Sequence, residues 1–192
     1  MSFSGEVKAE LEKHISKSRH CQLAELAAII SFSGRMILTG ADPRLEIATE
    51  HAGLAKKCYT LLKRAFDISA ELSEQNPGVL YIEEQDAMRR VLMALKFLEE
   101  DGSLHPFRQA VNGMLLQKSC CRRTFVRGAF LASGSMSDPH KSYHFEIVCA
   151  TPQQAEQLRT VISDFGMDAK VVERKKHHVV YLSLIHISEP TR

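Results

Sequence analysis

Apolar positions along the chain switch between helical and strand spacing in a repeating order. Residues 21–33, CQLAELAAIISFS, are apolar almost all round and predict a buried helix stopped by Gly34. Residues 35–39 and 44–49 read as strands joined across the turn cluster Gly40-Ala41-Asp42-Pro43. Over 51–66, Leu54, Cys58, Leu61, Leu62 and Ala65 form one stripe at helical spacing. A strand over 68–73, the breaker Asn76-Pro77-Gly78, a strand over 79–83 and a helix over 85–99 follow. The order is α-β-β-α-β-β-α.

The chain then matches itself at an offset of about 100 residues. Cys21 falls on Cys121, Ser33-Gly34 on Ser133-Gly134, Met36 on Met136, Glu46-Ile47 on Glu146-Ile147, and Tyr81 on Tyr181. The second copy reads as helix 121–133, strand 143–149, helix 152–165 and strands 168–174 and 178–183. A closing helix is expected after residue 182 and does not follow. The predicted organisation is an N-terminal helical segment (1–20), a first repeat (21–100), a connector (101–119) and an incomplete second repeat (120–182). The N-terminal helix spans 4–17, with Ser4 as its N-cap. The tail 183–192, SLIHISEPTR, breaks the pattern. Its last nine residues are similar to a translated sequencing adaptor, so Leu182 or Ser183 is expected to be the last natural residue of a truncated gene; the alternative is a genuine short C-terminal tail.

Both repeated helices carry small residues four apart: Ala24 and Ala28, Ala27 and Ser31, Gly128 and Ala132, Ala129 and Ser133. Such spacing lets two backbones approach closely. It predicts either a two-fold pairing of these helices at the centre or two buried helices without mutual contact.

Composition narrows the classes of function. The chain of 192 residues is 44% apolar and 25% charged, with a net charge of +2, so it buries a core and carries no strongly basic arm. Residues 1–100 hold 13 Lys/Arg against 15 Asp/Glu, net −2; residues 101–192 hold 12 against 8, net +4. The second half therefore attracts polyanions more than the first. No long apolar run predicts a membrane span, and the N-terminus lacks the apolar core of a signal peptide. The five cysteines then read as reduced cytosolic thiols.

Leu26–Gly34, LAAIISFSG, resembles the LAGLIDADG motif, and Val126–Gly134, VRGAFLASG, resembles it again. The stretches FSGEVKAEL, CQLAELAAIISFSG and CCRRTFVRGAFLASGSMSDPHKSYHFEIV are similar to the WhiA family over residues 2 to about 182. The resemblance implies an α+β, LAGLIDADG homing-endonuclease-like fold of two pseudo-symmetric αββαββα repeats, the second truncated. It further implies a cytoplasmic, nucleoid-associated DNA-binding regulator tied to cell division, chromosome segregation or sporulation-linked transcription. In that family a C-terminal helix-turn-helix domain follows; this sequence shows none.

LAGLIDADG nucleases place a carboxylate at the foot of each motif helix, because divalent metals at the scissile phosphate need anionic oxygen ligands. Here those positions are Ser33 and Ser133. Asp42-Pro43 and Asp138-Pro139 read as turn formers. The expectation is a non-enzymatic protein with no catalytic residues, no cofactor and no small-molecule substrate; the alternatives are a protein-interaction or autoregulatory module and an active DNA endonuclease.

In this fold a saddle of strands covers duplex DNA. Alternation turns Arg44, Glu46, Glu71, Tyr81 and Glu83 outward in the first copy, with Leu45, Ile47, Leu72, Leu80 and Ile82 inward. That outward face is acidic and fits either repulsion of phosphate or capture of a basic protein partner. In the second copy His144, Glu146, Lys170, Val172 and Tyr181 face outward, flanked by Arg174-Lys175-Lys176-His177-His178. Lys170, Arg174, Lys175 and Lys176 are candidate phosphate contacts, although a run of this kind also fits a solvated hairpin tip. A second basic group, Arg122 and Arg123, opens the second motif helix together with Lys118 and Arg127. Its partner is a phosphate or one of Glu10, Glu12 and Glu25. Cys120 and Cys121 are adjacent, a poor spacing for a tetrahedral metal, so no zinc site is expected.

Overall fold

The computed structural model describes residues 2–183. Of the sequence-predicted tail only Ser183 falls among those residues; positions 184–192 and any closing helix lie outside them. The elements run α1 (Phe3–Lys13), α2 (Arg19–Ser33), β1 (Gly34–Ile37), β2 (Arg44–Ala48), α3 (Ala52–Phe66), β3 (Glu71–Leu72), β4 (Val79–Ile82) and α4 (Gln85–Ala94). A 3₁₀ turn (Gly113–Leu116) leads into α5 (Ser119–Ser133), β5 (Gly134–Met136), β6 (Phe145–Cys149), α6 (Pro152–Ser163), β7 (Ala169–Arg174) and β8 (His177–Leu182).

The strands form two antiparallel four-stranded sheets of one topology, β1-β2-β4-β3 and β5-β6-β8-β7. Their registers repeat at the offset of 100: Gly34 opposes Ile47 as Gly134 opposes Ile147, and Glu46 opposes Tyr81 as Glu146 opposes Tyr181. The fold is α+β with two related halves.

The predicted elements hold, and their boundaries shift for local reasons. The stripe Leu54, Cys58, Leu61, Leu62 and Ala65 of α3 is buried. The cap of α1 is Ser2, which accepts from the Gly5 amide at 3.0 Å, rather than Ser4. Ser4 instead accepts from the Met136 amide at 3.3 Å. The strand expected over 68–73 shrinks to Glu71–Leu72, because Ile68 and Ala70 turn into the core. Leu72, expected inward, is 46% exposed at the sheet edge. Strand β5 was not legible: Gly-Ser-Met has no strand pattern and is extended because it continues directly from α5.

At the centre α2 packs against α5. A Cβ on Gly128 would lie 2.8 Å from the Glu25 carbonyl oxygen and 2.9 Å from the Ala28 Cβ, so only glycine allows this approach. The small-residue stripe thus marks a helix pair, not two separate helices. The paired helices, both sheets and α3, α4 and α6 share one apolar core.

The pair encloses a charged group. Glu25 is fully buried, and its Oε2 lies 2.8 Å from the Lys57 Nζ and 2.7 Å from the Arg127 Nε. Arg127 also donates to Glu25 Oε1 at 3.0 Å and to the Ser16 hydroxyl at 3.1 Å. Lys57 donates to the carbonyls of Leu11 and His14, each at 2.8 Å, which ties α1 and the chain after it to α3. Burial lowers the Lys57 pKa, and Glu25 opposes that shift. Of the two partners expected for Arg127, phosphate or carboxylate, the structure gives the carboxylate.

Glu25→Gln keeps the shape and removes the buried negative charge between two cations. It should lower stability by about 3–5 kcal/mol, the usual cost of orphaning one side of a buried ion pair. The urea midpoint measures this.

Candidate nucleic-acid interface

Each motif helix runs into a strand without a loop. Gly34 and Gly134 have extended backbones, φ −84° and −99°, so their need for glycine is steric. A Cβ would lie 2.7 Å from the Ile30 carbonyl oxygen in the first copy and 2.8 Å from that of Phe130 in the second. The residues before them, Ser33 and Ser133, form the feet of the helices. Ser33 is buried, and the Ser133 hydroxyl donates to the Val148 carbonyl at 2.6 Å.

Neither motif helix carries an acid of its own at its foot, and the first foot receives a cation. Arg108 Nη1 donates to the carbonyls of Ser31 at 3.0 Å and Gly34 at 2.8 Å. It satisfies the open carbonyl end of α2 and complements the negative end of its dipole. Burial and then the neighbouring Arg35 lower the Arg108 pKa. The Arg108 carbonyl is held by the Thr151 hydroxyl at 2.5 Å. Sequence reasoning missed this residue, because nothing in the connector marks a side chain that reaches back 74 positions to Gly34. At the foot of α5, helix α1 closes a cleft of about 600 Å³ lined by Lys8, Glu12, Glu50, His51 and Ser135 among others. Asp138 shapes a turn as expected, accepting from the His140 amide at 2.9 Å.

The outward faces of the two sheets carry matching rows. The first reads Arg35, Glu46, Tyr81, Glu71 across its four strands; the second reads Ser135, Glu146, Tyr181, Lys170. The Glu-Tyr centre repeats, and the charge difference sits on the edge strands. Glu46 is not a free acid: Arg35 Nε lies 2.5 Å from its Oε1. Arg44 lies 4.3 Å from the centre of the Tyr81 ring and pairs with Glu83 at 3.1 Å. The acidic face expected on the first sheet is therefore largely neutralised. Arg35 was missed because its partner stands on the neighbouring strand.

The candidate cations separate into two groups. Lys170, Arg174, Lys175 and Lys176 share the β7–β8 hairpin, whereas Arg122 and Arg123 belong to the helix layer behind the sheet. Arg174 pairs with Glu146 at 2.8 Å, with His144 also near that carboxylate at 3.7 Å. Arg122 donates to the carbonyls of Leu116 and Gln117, each at 2.9 Å, which fixes the 3₁₀ turn against α5. Arg123 is exposed and borders an apolar cleft with Val126, Phe145, Phe165, Met167 and Leu182. Lys170, Lys175 and Lys176 are exposed and form no ion pair among the described residues.

Lys175 and Lys176 form the two-residue turn between Arg174 and His177, with φ of 52° and 68°. Positive φ at both positions is the type I′ geometry that follows strand twist and that Asn-Gly adopts most readily. Two lysines here are conformationally costly, and their charge stands at the very tip.

The carboxyl-terminal part of the chain, residues 122–186, matches the model of the WhiA LAGLIDADG-like domain. Residues 19–91 match that of the WhiA N-terminal LAGLIDADG-like domain. A probable cell division protein WhiA from Lachnoclostridium phytofermentans is 40% identical over 191 residues, 95% of this chain and 61% of the relative. One from Alkaliphilus oremlandii is 40% identical over 192 residues, 95% of this chain and 60% of the relative. The chain thus spans about three fifths of the length of the curated relatives it matches. Among solved structures, full-length DUF199/WhiA from Thermatoga maritima aligns with a TM-score of 0.67 at 18% identity, covering 97% of this chain and 58% of that one. I-DmoI in complex with DNA and Mn aligns with a TM-score of 0.61 at 14% identity, covering 87% and 92%.

The double variant Lys175→Asn/Lys176→Gly should raise stability by about 1–2 kcal/mol, because it relieves left-handed backbone at two side-chain-bearing residues. Chemical denaturation of the variant and the parent gives the difference.

Proposed function

The chain belongs to the WhiA family, and we propose that it serves a cell-division protein of that family as a non-catalytic platform for duplex DNA. The observation that carries this reading is the set of lysines Lys170, Lys175 and Lys176, which form no ion pair among the described residues, on one hairpin of the open sheet face. Lysines of this kind neutralise backbone phosphates and release counterions, which gives affinity without reading sequence. The fold supports the same reading, since the homing endonuclease I-DmoI was solved with DNA on a related scaffold.

Within this proposal the second sheet is the electrostatic half. Arg174 contributes through its pair with Glu146 rather than as a free cation, and Arg122 serves the helix layer. The first sheet, with Glu46 and Glu83 paired to arginines, neither attracts phosphate strongly nor offers a free acidic surface to a basic protein. Base-specific readout, together with any role in chromosome segregation or sporulation-linked transcription, is assigned to the whole protein. No helix among the described residues is long and apolar enough to cross a membrane.

The absence of nuclease chemistry is part of the proposal and rests on the helix feet. A metal-dependent phosphodiesterase needs anionic ligands where Ser33 and Ser133 stand. At the first foot the Arg108 guanidinium would repel a divalent cation as well.

Fluorescence anisotropy with a labelled duplex across a salt series tests both parts. The logarithm of affinity should fall linearly with the logarithm of salt concentration. Lys175→Asn/Lys176→Gly should weaken binding for every sequence and reduce the slope by about 1 per lysine removed. Because the same substitutions stabilise the hairpin, weaker binding is not attributable to unfolding. A slope that the variant leaves unchanged sinks the lysine assignment. Mg²⁺- or Mn²⁺-dependent cleavage of the duplex by the parent sinks the non-catalytic assignment.

A further inference from the structure

The motif helices meet at their starts as well as along their length. His20 and Cys21 stand in the first turn of α2, and Cys120 and Cys121 in the first turn of α5. They occupy the same places in the two copies, and pairing the helices brings all four together. His20 Nδ1 and the Sγ atoms of Cys21, Cys120 and Cys121 lie within 4.8 Å of one another. The His20 Nδ1 is 3.2 Å from Cys121 Sγ, 3.5 Å from Cys21 Sγ and 3.8 Å from Cys120 Sγ. A tetrahedral zinc with Zn–S of about 2.3 Å and Zn–N of about 2.0–2.1 Å sets its ligand atoms about 3.5–3.8 Å apart. The three nitrogen–sulfur distances match that spacing to within a few tenths of an ångström, and the sulfurs lie within 4.8 Å of one another.

We propose that His20, Cys21, Cys120 and Cys121 form a structural Zn²⁺ site that clamps the two motif helices together at their N-terminal ends. Three thiolates and one imidazole, all from the protein, make the closed tetrahedral set of structural zinc.

The electrostatics of the place fit an anionic metal–thiolate group. Zn²⁺ with three thiolates carries one net negative charge. It would sit at the positive ends of two helix dipoles, where first-turn amides lack intrahelical partners. Neither N-cap, Ser18 nor Lys118, supplies a side-chain hydrogen bond to those amides. A divalent cation stabilises thiolates over thiols, so a single ion would hold all three sulfurs in their ligating form. Exposed His20 and half-buried Cys120 leave a route for the ion, while buried Cys21 and Cys121 form the floor.

The site lies at the opposite ends of α2 and α5 from Ser33 and Ser133 and is independent of the DNA-binding proposal. It joins segments 100 residues apart, so the clamp constrains the unfolded chain as a disulfide would. Binding displaces the thiol protons to solvent and involves no change of oxidation state.

The test uses the full chain, purified with a phosphine reductant, stripped by chelator and titrated with Co²⁺ and then Zn²⁺. One equivalent of Co²⁺ should give the visible bands of tetrahedral cobalt with thiolate-to-cobalt charge transfer, and one equivalent of Zn²⁺ should bleach them. Zn²⁺ should raise Tm and slow alkylation of Cys120. Cys120→Ser and His20→Ala, both at accessible positions, should weaken Zn²⁺ binding by more than about 100-fold, since loss of an outer-shell partner alone costs about 10–100-fold. Cys149→Ser, on β6, should leave the bands unchanged. Circular dichroism confirms that each variant is folded. The proposal fails if the folded, reduced parent gives no tetrahedral cobalt spectrum. It also fails if the spectrum survives both ligand variants, or if a Cys21–Cys120 disulfide forms in the presence of reductant and excludes the metal.

Discussion

The approach of α2 to α5 is the constraint on which everything else in this molecule depends. It is permitted by the missing Cβ of Gly128 and by Ala28 opposite, and it is locked by Glu25. A buried carboxylate is tolerable only when its lone pairs are met. Glu25 meets Lys57 from α3 and Arg127 from α5, and those cations reach on to the chain around α1. One carboxylate thereby registers four segments against each other. Apolar packing supplies the bulk of the stabilisation, but a slide of either helix along the other would strand a charge in the core.

That register decides what the two ends of the helix pair present. At the C-terminal ends the chain passes straight from helix to strand, so the sheets are set in fixed relation to the helix feet. Backbone carbonyls and hydroxyls stand there, with Arg108 against the first foot, and the chemistry of the site is that of a cation-compensated helix end. The outward rows of the sheets share their Glu-Tyr centres and differ at the edges, where Arg35 and Glu71 face Ser135 and Lys170 across the pseudo-symmetry. Small edge differences on one scaffold make one half nearly neutral and the other basic. At the N-terminal ends the same register gathers three thiols and an imidazole.

Much of this organisation is legible in the sequence. The offset of 100 between Ser33-Gly34 and Ser133-Gly134, with Glu46 and Tyr81 repeated at 146 and 181, gives two copies of one unit, because a duplicated packing problem keeps its solution. The small-residue spacing gives the helix pair, and helical and strand periods give the elements, since burial acts on single residues at fixed intervals. The loss of acid at both feet is a matter of residue identity alone.

Tertiary structure decided the partners. Nothing local distinguishes Arg174, paired to Glu146, from Lys175, which is free of such a pair among the described residues; the carboxylate comes from a strand 28 residues away. Arg122 and Arg108 spend their donors on distant carbonyls, Glu46 is quieted by Arg35, and adjacent cysteines become half of a cluster of four only when α2 supplies the rest. Periodicity reports which residues are removed from water, a property each carries by itself. Charge pairing and ligand geometry are properties of atoms a few ångströms apart, and sequence distance says little about those until the chain has folded.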